Sequence, residues 1–186
     1  GFIEKMMEVD SPYCGLVVDC GIFARRLPRV MSQYCIAMGA NPDLIAYVDD
    51  LFAQGLDGRS IWLPGKSGLK PEVEKLIKNG TDHMFAALCD GYENNPVTIM
   101  EDYWKYIKHF HFKMFEMVNG EEYSINYKEI LQYLHDKKYD GYVSTEYEGN
   151  RWTLPDMPTV EKEQVVQHQE MLRRYIAEIE GGSANV

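Results

Sequence analysis

The chain has 186 residues with a formal net charge of −10, and its 45% of hydrophobic residues are spread along the whole length. This composition is ordinary for a globular domain, and the acidic balance argues against binding to nucleic-acid backbones, which requires clustered Lys and Arg. The sequence contains no run of 18 apolar residues that would predict a membrane span, and its first residues lack the apolar segment of a signal peptide. The four cysteines form no C-x-x-C pair, which predicts reduced thiols in a cytoplasmic protein.

The chain opens on a helical segment and a short strand. Residues 2–9, FIEKMMEV, are amphipathic and are predicted as the end of a helix that began earlier, so we expect a fragment of a longer protein. Residues 14–19, CGLVVD, form the kind of short apolar run that is found in buried parallel strands. This strand ends in Asp19, which is the first candidate functional residue.

A long helical region follows. Asn41 and Pro42 are typical of a helix start, and apolar residues at helical spacing extend this helix to about Gln54. Residues 55–105 are predicted as an insertion, because the connection to the next strand is far longer than one strand–helix unit needs. We expect the insertion to contain loops and short helices that begin at Pro71, Thr81 and Thr98.

The second half alternates strands with helices. The run KHFHFKMF predicts a strand with His109, His111 and Lys113 on one face and apolar side chains on the other. A helix over 126–137 and a strand over 142–147 follow. This order indicates an α/β fold with parallel strands.

The chain is predicted to end in a long helix that starts at Thr159. Its apolar stripe is expected to consist of Val165, Leu172, Ile176 and Ile179. We predict one domain over residues 1–180 and a disordered tail over 181–186.

Polar side chains recur near the carboxyl ends of three predicted strands: Asp19, the pair His109 and His111, and Glu146. Because catalytic residues of parallel α/β folds lie at these ends, we expect the side chains to converge. Carboxylate and imidazole ligands without a thiolate suit Mn²⁺, Mg²⁺, Co²⁺ or Zn²⁺. Taken singly, each residue has another interpretation: Asp19 as a turn cap, the histidines bonded to backbone, and Glu146 in an ion pair.

The run HFHFK, followed by the Glu of GYVSTEYEG, resembles the last two strands of the xylose-isomerase-like barrel superfamily, which includes sugar phosphate isomerases and epimerases. VVDCG is similar to the sixth strand of that superfamily. The phrase STEYEGNRW resembles most closely the barrel subunit of bacterial C-glycoside deglycosylating enzymes, which eliminate an aglycone from a 3-keto sugar. The resemblance implies the C-terminal part of a (β/α)8 TIM barrel with a helical insertion between two strands.

The resemblance implies roles for individual residues. The expected ligands of a divalent metal are Asp19, His111 and Glu146. Mn²⁺ is the first candidate for this metal, and Mg²⁺, Co²⁺ and Zn²⁺ are the other candidates. Catalytic roles fall on Glu146 as general base, on Lys113 as the holder of a substrate oxygen, and on His109 as a neighbouring contact. The candidate substrate-binding residues are Lys113, Trp62 and Arg151, and packing of the insertion on itself is the alternative for Trp62, Lys66, Tyr92 and Trp104.

The sequence departs from the superfamily pattern in two places. The Glu that the superfamily carries on its fifth strand has no counterpart here, because the chain starts after that strand. Ile22 stands where many members have a histidine three residues after the aspartate.

The predicted activity is that of a metal-dependent isomerase or epimerase that moves a proton next to the carbonyl of a keto sugar or sugar phosphate. The alternatives are a lyase subunit that cleaves C-glycosides by β-elimination, and a non-catalytic barrel fragment or binding subunit. The expected partners are a small sugar, the missing N-terminal half of the barrel or a partner chain, and a second copy in a homo-oligomer. Neither nucleic acid nor a membrane is expected as a partner.

Overall fold

The computed structural model describes residues 2–154 and 160–183. Its helices and strands, in chain order, are α1 (Phe2–Val9), β1 (Leu16–Asp19), α2 (Arg29–Ala37), α3 (Pro42–Ala53), α4 (Pro71–Glu74), α5 (Gly80–Cys89), β2 (Ile107–Met114), β3 (Met117–Val118), β4 (Glu121–Glu122), α6 (Tyr127–Asp136), β5 (Val143–Tyr147) and α7 (Glu161–Ser183). Short 3₁₀ segments occupy Cys20–Ile22, Gly58–Ile61, Pro64–Lys66, Val97–Tyr106 and Gly149–Trp152. The chain is therefore a mixed α/β protein, as predicted.

The three long strands form one parallel sheet in the order β1-β2-β5. Asp19 lies opposite His111 in the first pair of strands, and Lys113 lies opposite Glu146 in the second. The predicted parallel pairing is confirmed. Within the described residues β1 and β5 are both edge strands, and no closure of the sheet into a barrel is found.

The two faces of this sheet differ in character. Along β2, Phe110, Phe112 and Met114 are fully buried, whereas the alternating His109, His111 and Lys113 are partly exposed. Helices α6 and α7 cover the apolar face. The ring of Tyr127 from α6 lies 4.9 Å from that of Phe112, and His168 from α7 contacts Thr145 of β5. The predicted alternation of β2 is confirmed, and the terminal helix packs on the apolar side of the sheet.

The insertion and the helices before it share a core, which contains Met31, Cys35, Leu44, Val48, Phe85 and Cys89. The buried carboxylate of Asp82 joins two helix starts, because it accepts hydrogen bonds from the backbone N–H groups of Asn41, Lys78 and Asn79. Burial by itself raises the pKa of Asp82, but these bonds outweigh burial and lower the pKa overall. The insertion is thus attached firmly to α3.

The structure corrects several element predictions in the first half. Helix α2 was not predicted, and the helix that starts at Pro71 is a single turn. Asn79 rather than Thr81 caps α5, since its side chain accepts from the N–H groups of Thr81 and Asp82. The stretch Val97–Tyr106 is a 3₁₀ helix.

Three further differences lie in the second half. The loop after β2 contains the unpredicted hairpin of β3 and β4, which turns at Asn119 and Gly120. Leu172 and Ile179 of the predicted apolar stripe of α7 are buried and Val165 is partly buried, whereas Ile176 is 41% exposed. Met171 and His168 also lie on the buried face of this helix. Helix α7 continues past Gly181 to Ser183, beyond the predicted start of a tail, and the predicted helix start at Thr159 lies outside the described residues.

His168 gives the folded state a dependence on pH. Its side chain is fully buried, and burial lowers its pKa from 6.5 to about 4. The unfolded chain therefore binds this proton more tightly, so the stabilisation is complete above pH 6.5 and is lost as the pH falls towards 4. We expect about 3 kcal/mol of unfolding free energy to depend on this group.

The test compares urea denaturation of the wild type and the variant His168→Gln between pH 7 and 4.5. Burial raises the pKa of Glu122 to about 7, so its contribution runs in the opposite direction over the same range. The informative quantity is therefore the difference between the two proteins, which should shrink as the pH falls. An identical pH dependence in both would contradict the assignment to His168.

Candidate functional site

The carboxyl ends of β1, β2 and β5 bring together one group of charged side chains, the carboxylate–lysine cluster, which consists of Asp19, His111, Lys113, Glu146 and Glu148. Lys113 lies at its centre and is only 13% exposed. Its Nζ is 2.8 Å from Asp19 Oδ2, 3.1 Å from Glu148 Oε1 and 4.0 Å from Glu146 Oε2. The parallel register places these residues side by side, so the expected convergence of the strand ends is present.

Lys113 carries a full positive charge in this setting. Partial burial lowers the pKa of its amine, but the hydrogen bonds and charges of Asp19 and then Glu148 outweigh burial, and the pKa is raised overall. Lys113 can therefore donate a hydrogen bond to an oxygen atom placed beside it, whereas it is poorly suited to accept a proton.

Asp19 has two engaged oxygen atoms. Its Oδ1 accepts the N–H of Gly21 at 2.8 Å and caps the 3₁₀ turn that follows β1, while Oδ2 faces Lys113. The capping interpretation of Asp19 thus holds for one oxygen, and the other belongs to the carboxylate–lysine cluster. Gly21 has little room for a side chain, because an added Cβ would lie 2.9 Å from Lys113 Cδ.

Glu146 and His111 form the second half of the cluster. Glu146 Oε2 lies 3.4 Å from His111 Nδ1, and this oxygen is buried without a hydrogen-bond partner among the described residues. His109, two residues earlier on the same face, bonds through Nε2 to Ser144 Oγ at 2.8 Å and packs edge-on against His111. An orphaned carboxylate oxygen beside an imidazole is an arrangement that a cation or a proton donor would complete.

Glu148 was not among the predicted site residues. It is 12% exposed and contacts Arg151 Nη2 at 2.8 Å in addition to Lys113. Its backbone N–H donates to Met114 O at 2.9 Å, and the chain then passes so close to Phe115 that a Cβ on Gly149 would lie 2.0 Å from the Phe115 carbonyl oxygen. The alternation of β5 offered a signal, because Glu148 follows Glu146 at a spacing of two.

A cavity of about 410 Å³ adjoins the cluster, between the insertion and the strand ends. Asp19, Lys113, Glu148 and Arg151 form its charged side. Its apolar side includes Ile22, Leu88, Tyr92, Phe115 and Trp152. Burial, and after it the charge of Glu148, raises the pKa of Tyr92, so this hydroxyl stays protonated.

The structure places the other candidate residues of the insertion elsewhere. Trp62 does not line this cavity, because the bridge between Trp62 and Leu69 directs it against the core of the insertion. Lys66 pairs with Asp90 at 2.5 Å, and Trp104 packs on Tyr133 and Tyr139. Of the substrate-binding candidates, Lys113 and Arg151 are therefore brought together and Trp62 is not.

Residues 2–154 and 160–183 contain no group of three His, Cys, Asp or Glu side chains that could hold a metal ion. Of the three predicted ligands, Glu146 and His111 lie beside each other, with Glu146 Oε2 at 3.4 Å from His111 Nδ1, and Asp19 pairs with Lys113. The ammonium of Lys113 supplies positive charge between these carboxylates.

The four cysteines are unpaired thiols, as predicted, and three of them are buried. Within the described residues, no helix has both the length and the apolar character needed to cross a membrane.

Comparison with known proteins gives relatives of one kind. The chain is 28% identical over 193 aligned residues to the 3'-dehydrocarminate deglycosidase alpha subunit of a Microbacterium species, covering 96% of this chain and 52% of that protein. It is 28% identical over 181 residues to the C-glycoside deglycosidase alpha subunit of Microbacterium trichothecenolyticum, covering 88% and 47%. The alpha subunit of the same name from Arthrobacter globiformis is 26% identical over 182 residues, again covering 88% and 47%.

No family model matches the chain. The chain spans about half the length of the curated relatives it matches. Their names agree with the resemblance of STEYEGNRW to C-glycoside deglycosylating enzymes, and none of these three is named an isomerase or epimerase. The comparison therefore favours the predicted alternative, C-glycoside cleavage, over the isomerase interpretation.

Proposed function

We propose that this chain forms the metal-binding, C-terminal half of an alpha-type subunit that releases an aglycone from the C-glycoside of a 3-keto sugar. The observation that carries the proposal is the carboxylate–lysine cluster, in which a buried, unpartnered oxygen of Glu146 lies close to His111 and Lys113. The names of the relatives support the choice of cleavage over isomerisation.

The proposal includes a fold, the last strands of a (β/α)8 barrel. Neither edge strand of the described sheet has a second strand partner, Val17 on the polar face is 53% exposed, and the residues of β1 line an apolar groove of about 320 Å³. A sheet of three strands is too small to close on itself, since closure takes about eight strands at these dimensions. We propose that a further part of the same protein or a partner subunit pairs with these edges, which agrees with the greater length of the relatives.

Asp19, His111 and Glu146 would hold the divalent metal, with Mn²⁺ as the first candidate. When bound, the metal would lower the pKa of the proton on the carbon next to the sugar carbonyl by polarising that carbonyl. In the superfamily, the position of Ile22 often holds a histidine and the fifth strand carries a further Glu ligand. Any ligand beyond Asp19, His111 and Glu146 would have to come from the rest of the protein.

The chain's own residues have separable tasks in this reaction. Glu146 takes the proton from the carbon next to the carbonyl, and the electron pair of that C–H bond forms an enolate with negative charge on the carbonyl oxygen. As the carbonyl re-forms, a double bond develops to the anomeric carbon while its bond to the aglycone breaks, and the aglycone carbon keeps that pair and takes the proton from protonated Glu146. Lys113 donates a hydrogen bond to the carbonyl oxygen as negative charge develops there. His109 and Arg151 contact the sugar from the two sides of this pair.

The test uses the whole protein together with any subunit that co-purifies with it. A C-glycoside whose sugar has been oxidised at C3 is incubated in D₂O with Mn²⁺ or with a chelator. Chromatography measures aglycone release, and NMR measures deuterium incorporation next to the carbonyl. We expect both signals with Mn²⁺ and a loss of both with the chelator.

The remaining outcomes identify the alternatives. Deuterium incorporation with an epimerised or isomerised sugar and no aglycone would establish the isomerase activity in place of cleavage. Absence of both signals in protein that contains bound Mn²⁺ would contradict catalysis and favour a binding subunit.

A further inference from the structure

The cavity beside the carboxylate–lysine cluster has two unlike sides. Its charged side carries Lys113 and Arg151, whereas its apolar side carries three aromatic rings, those of Tyr92, Phe115 and Trp152. The rings of Tyr92 and Phe115 meet edge-on, with their centroids 5.5 Å apart. Aromatic rings in such arrangements pack favourably against a further flat ring. A ligand that fills both sides of the cavity therefore has a polar part and an aromatic part.

The aromatic side is fixed to the strand ends by the insertion. The carbonyl of Tyr92 accepts the N–H of Gly58 at 3.2 Å, and a Cβ on Gly58 would lie 1.9 Å from the carbonyl oxygen of Cys89, so only glycine permits this close approach. Three residues after Tyr92, Asn95 donates to the carbonyl of Ile22 from its backbone N–H at 3.1 Å and from its side-chain amide at 3.2 Å. Since Ile22 directly follows β1, these bonds hold Tyr92 in a defined place beside the strand ends.

The hydroxyl of Tyr92 is a hydrogen-bond donor without an acceptor. Tyr92 is 8% exposed and lines the cavity, and among the described residues its hydroxyl donates to no acceptor. Burial and then the charge of Glu148 raise the pKa of Tyr92, while the nearby indole N–H of Trp152 acts in the opposite direction without forming a hydrogen bond of normal geometry. A protonated hydroxyl on an otherwise apolar wall is the kind of polar group that fixes the orientation of a ligand.

We propose that Tyr92 is a specificity-determining residue: the aromatic side of the cavity takes the aglycone, and the Tyr92 hydroxyl donates a hydrogen bond to an oxygen atom on that aglycone. The inference rests on the proposed function, because it assigns the two sides of the cavity to the two parts of one C-glycoside. The charged side then receives the sugar next to Lys113. The preferred aglycone is an aromatic group that carries an oxygen acceptor.

The experiment measures the binding of two aromatic probes that differ in one oxygen atom, acetophenone and ethylbenzene. Ligand-observed NMR titrations are carried out without added metal on the whole protein together with any subunit that co-purifies with it, for the wild type and Tyr92→Phe. We expect Tyr92→Phe to weaken the binding of acetophenone by about five- to tenfold, since one hydrogen bond to the carbonyl is lost. The binding of ethylbenzene should stay within about twofold.

The matched control is Tyr175→Phe, which also removes one phenol oxygen. Tyr175 lies on α7, and its hydroxyl donates to Glu121 rather than facing the cavity. Both probes should bind this variant within about twofold of the wild type, because changes at separate sites act independently. Thermal unfolding of both variants checks that a change in affinity does not reflect a damaged fold.

Three results would overturn the inference. The wild type could bind neither probe, Tyr92→Phe could bind both probes as the wild type does, or it could lose affinity for both equally. The titrations involve no turnover, so they are independent of the release of aglycone. Failure of that release together with the expected probe binding would refute the proposed cleavage but not the recognition of an oxygen by Tyr92, and the two failures are therefore distinguishable.

Discussion

Replacing Glu146 by Gln should reduce aglycone release by roughly 10²- to 10⁴-fold, which is the usual contribution of a positioned general base. The amide retains the size of the carboxylate but accepts no proton, and its NH₂ group would lie beside Lys113 and His111, where the carboxylate oxygen now lies. Deuterium incorporation next to the sugar carbonyl should fall in parallel, since both signals depend on the same proton transfer.

Glu178→Gln is the control for this experiment, because Glu178 lies on α7 and pairs with Lys128 at 2.7 Å. The rate of aglycone release by the Glu178→Gln variant should stay within about twofold of the wild-type rate, as expected for a distant surface charge. If Glu146→Gln released aglycone as fast as this control, Glu146 would not be the base, and the proton acceptor would have to come from elsewhere in the protein.

Replacing Phe112 by Ala should lower the free energy of unfolding by roughly 3–5 kcal/mol, the usual cost of truncating a fully buried aromatic ring. Phe112 is inaccessible to solvent, and its ring lies 4.9 Å from Tyr127 and 6.3 Å from Phe110. The hydroxyl of Tyr127 donates to Lys113 O, so the cavity would open directly behind the strand that carries Lys113.

Urea denaturation measures this loss, with Ile176→Ala as the control. Ile176 is 41% exposed on α7, so its truncation should change stability by about 0.5 kcal/mol or less. If Phe112→Ala cost as little as Ile176→Ala, α6 would not be packed on the sheet as described. Phe112→Leu provides a milder change in case the alanine variant does not fold, and its cost should be about 1.5 kcal/mol or less.

The sequence predicted the parts of the fold in which local pattern and tertiary environment agree. The alternation along β2 matches the burial found in the structure, and Asn41 and Asn126 start their helices as expected. Helix α2 was missed because its N-cap residue is Pro28, which supplies no side-chain hydrogen bond of the kind that marks a helix start.

Other features were missed although a signal existed. Asn119 and Gly120 form a turn with two positive φ angles, and such an Asn-Gly pair commonly joins hairpin strands. Asn79 and Asp82 form a reciprocal capping box, which was passed over in favour of Thr81. Ile176 has the right helical spacing for the core, yet only the position of the sheet decides which side of α7 is buried.

The candidate site was predicted in its residue types and its strand positions, but its contacts were not. The central place of Lys113 among three carboxylates follows from the register of three strands, which local sequence does not encode. The failure of Trp62 to reach the cavity likewise depends on how the insertion folds on itself.

The alternation of β2 makes folding and chemistry depend on the same register. A shift of one residue would turn Phe110 and Phe112 towards the cavity and bury His111 and Lys113 against α6 and α7. A variant with a residue inserted or deleted within this strand would therefore lose its core and its site together, and selection for either property preserves both. Length changes are expected to be tolerated only between strands, and the connection from β1 to β2 is already long, since it covers residues 20–106. A library that varies loop length while keeping 107–114 intact is accordingly the safer route to altered substrate range.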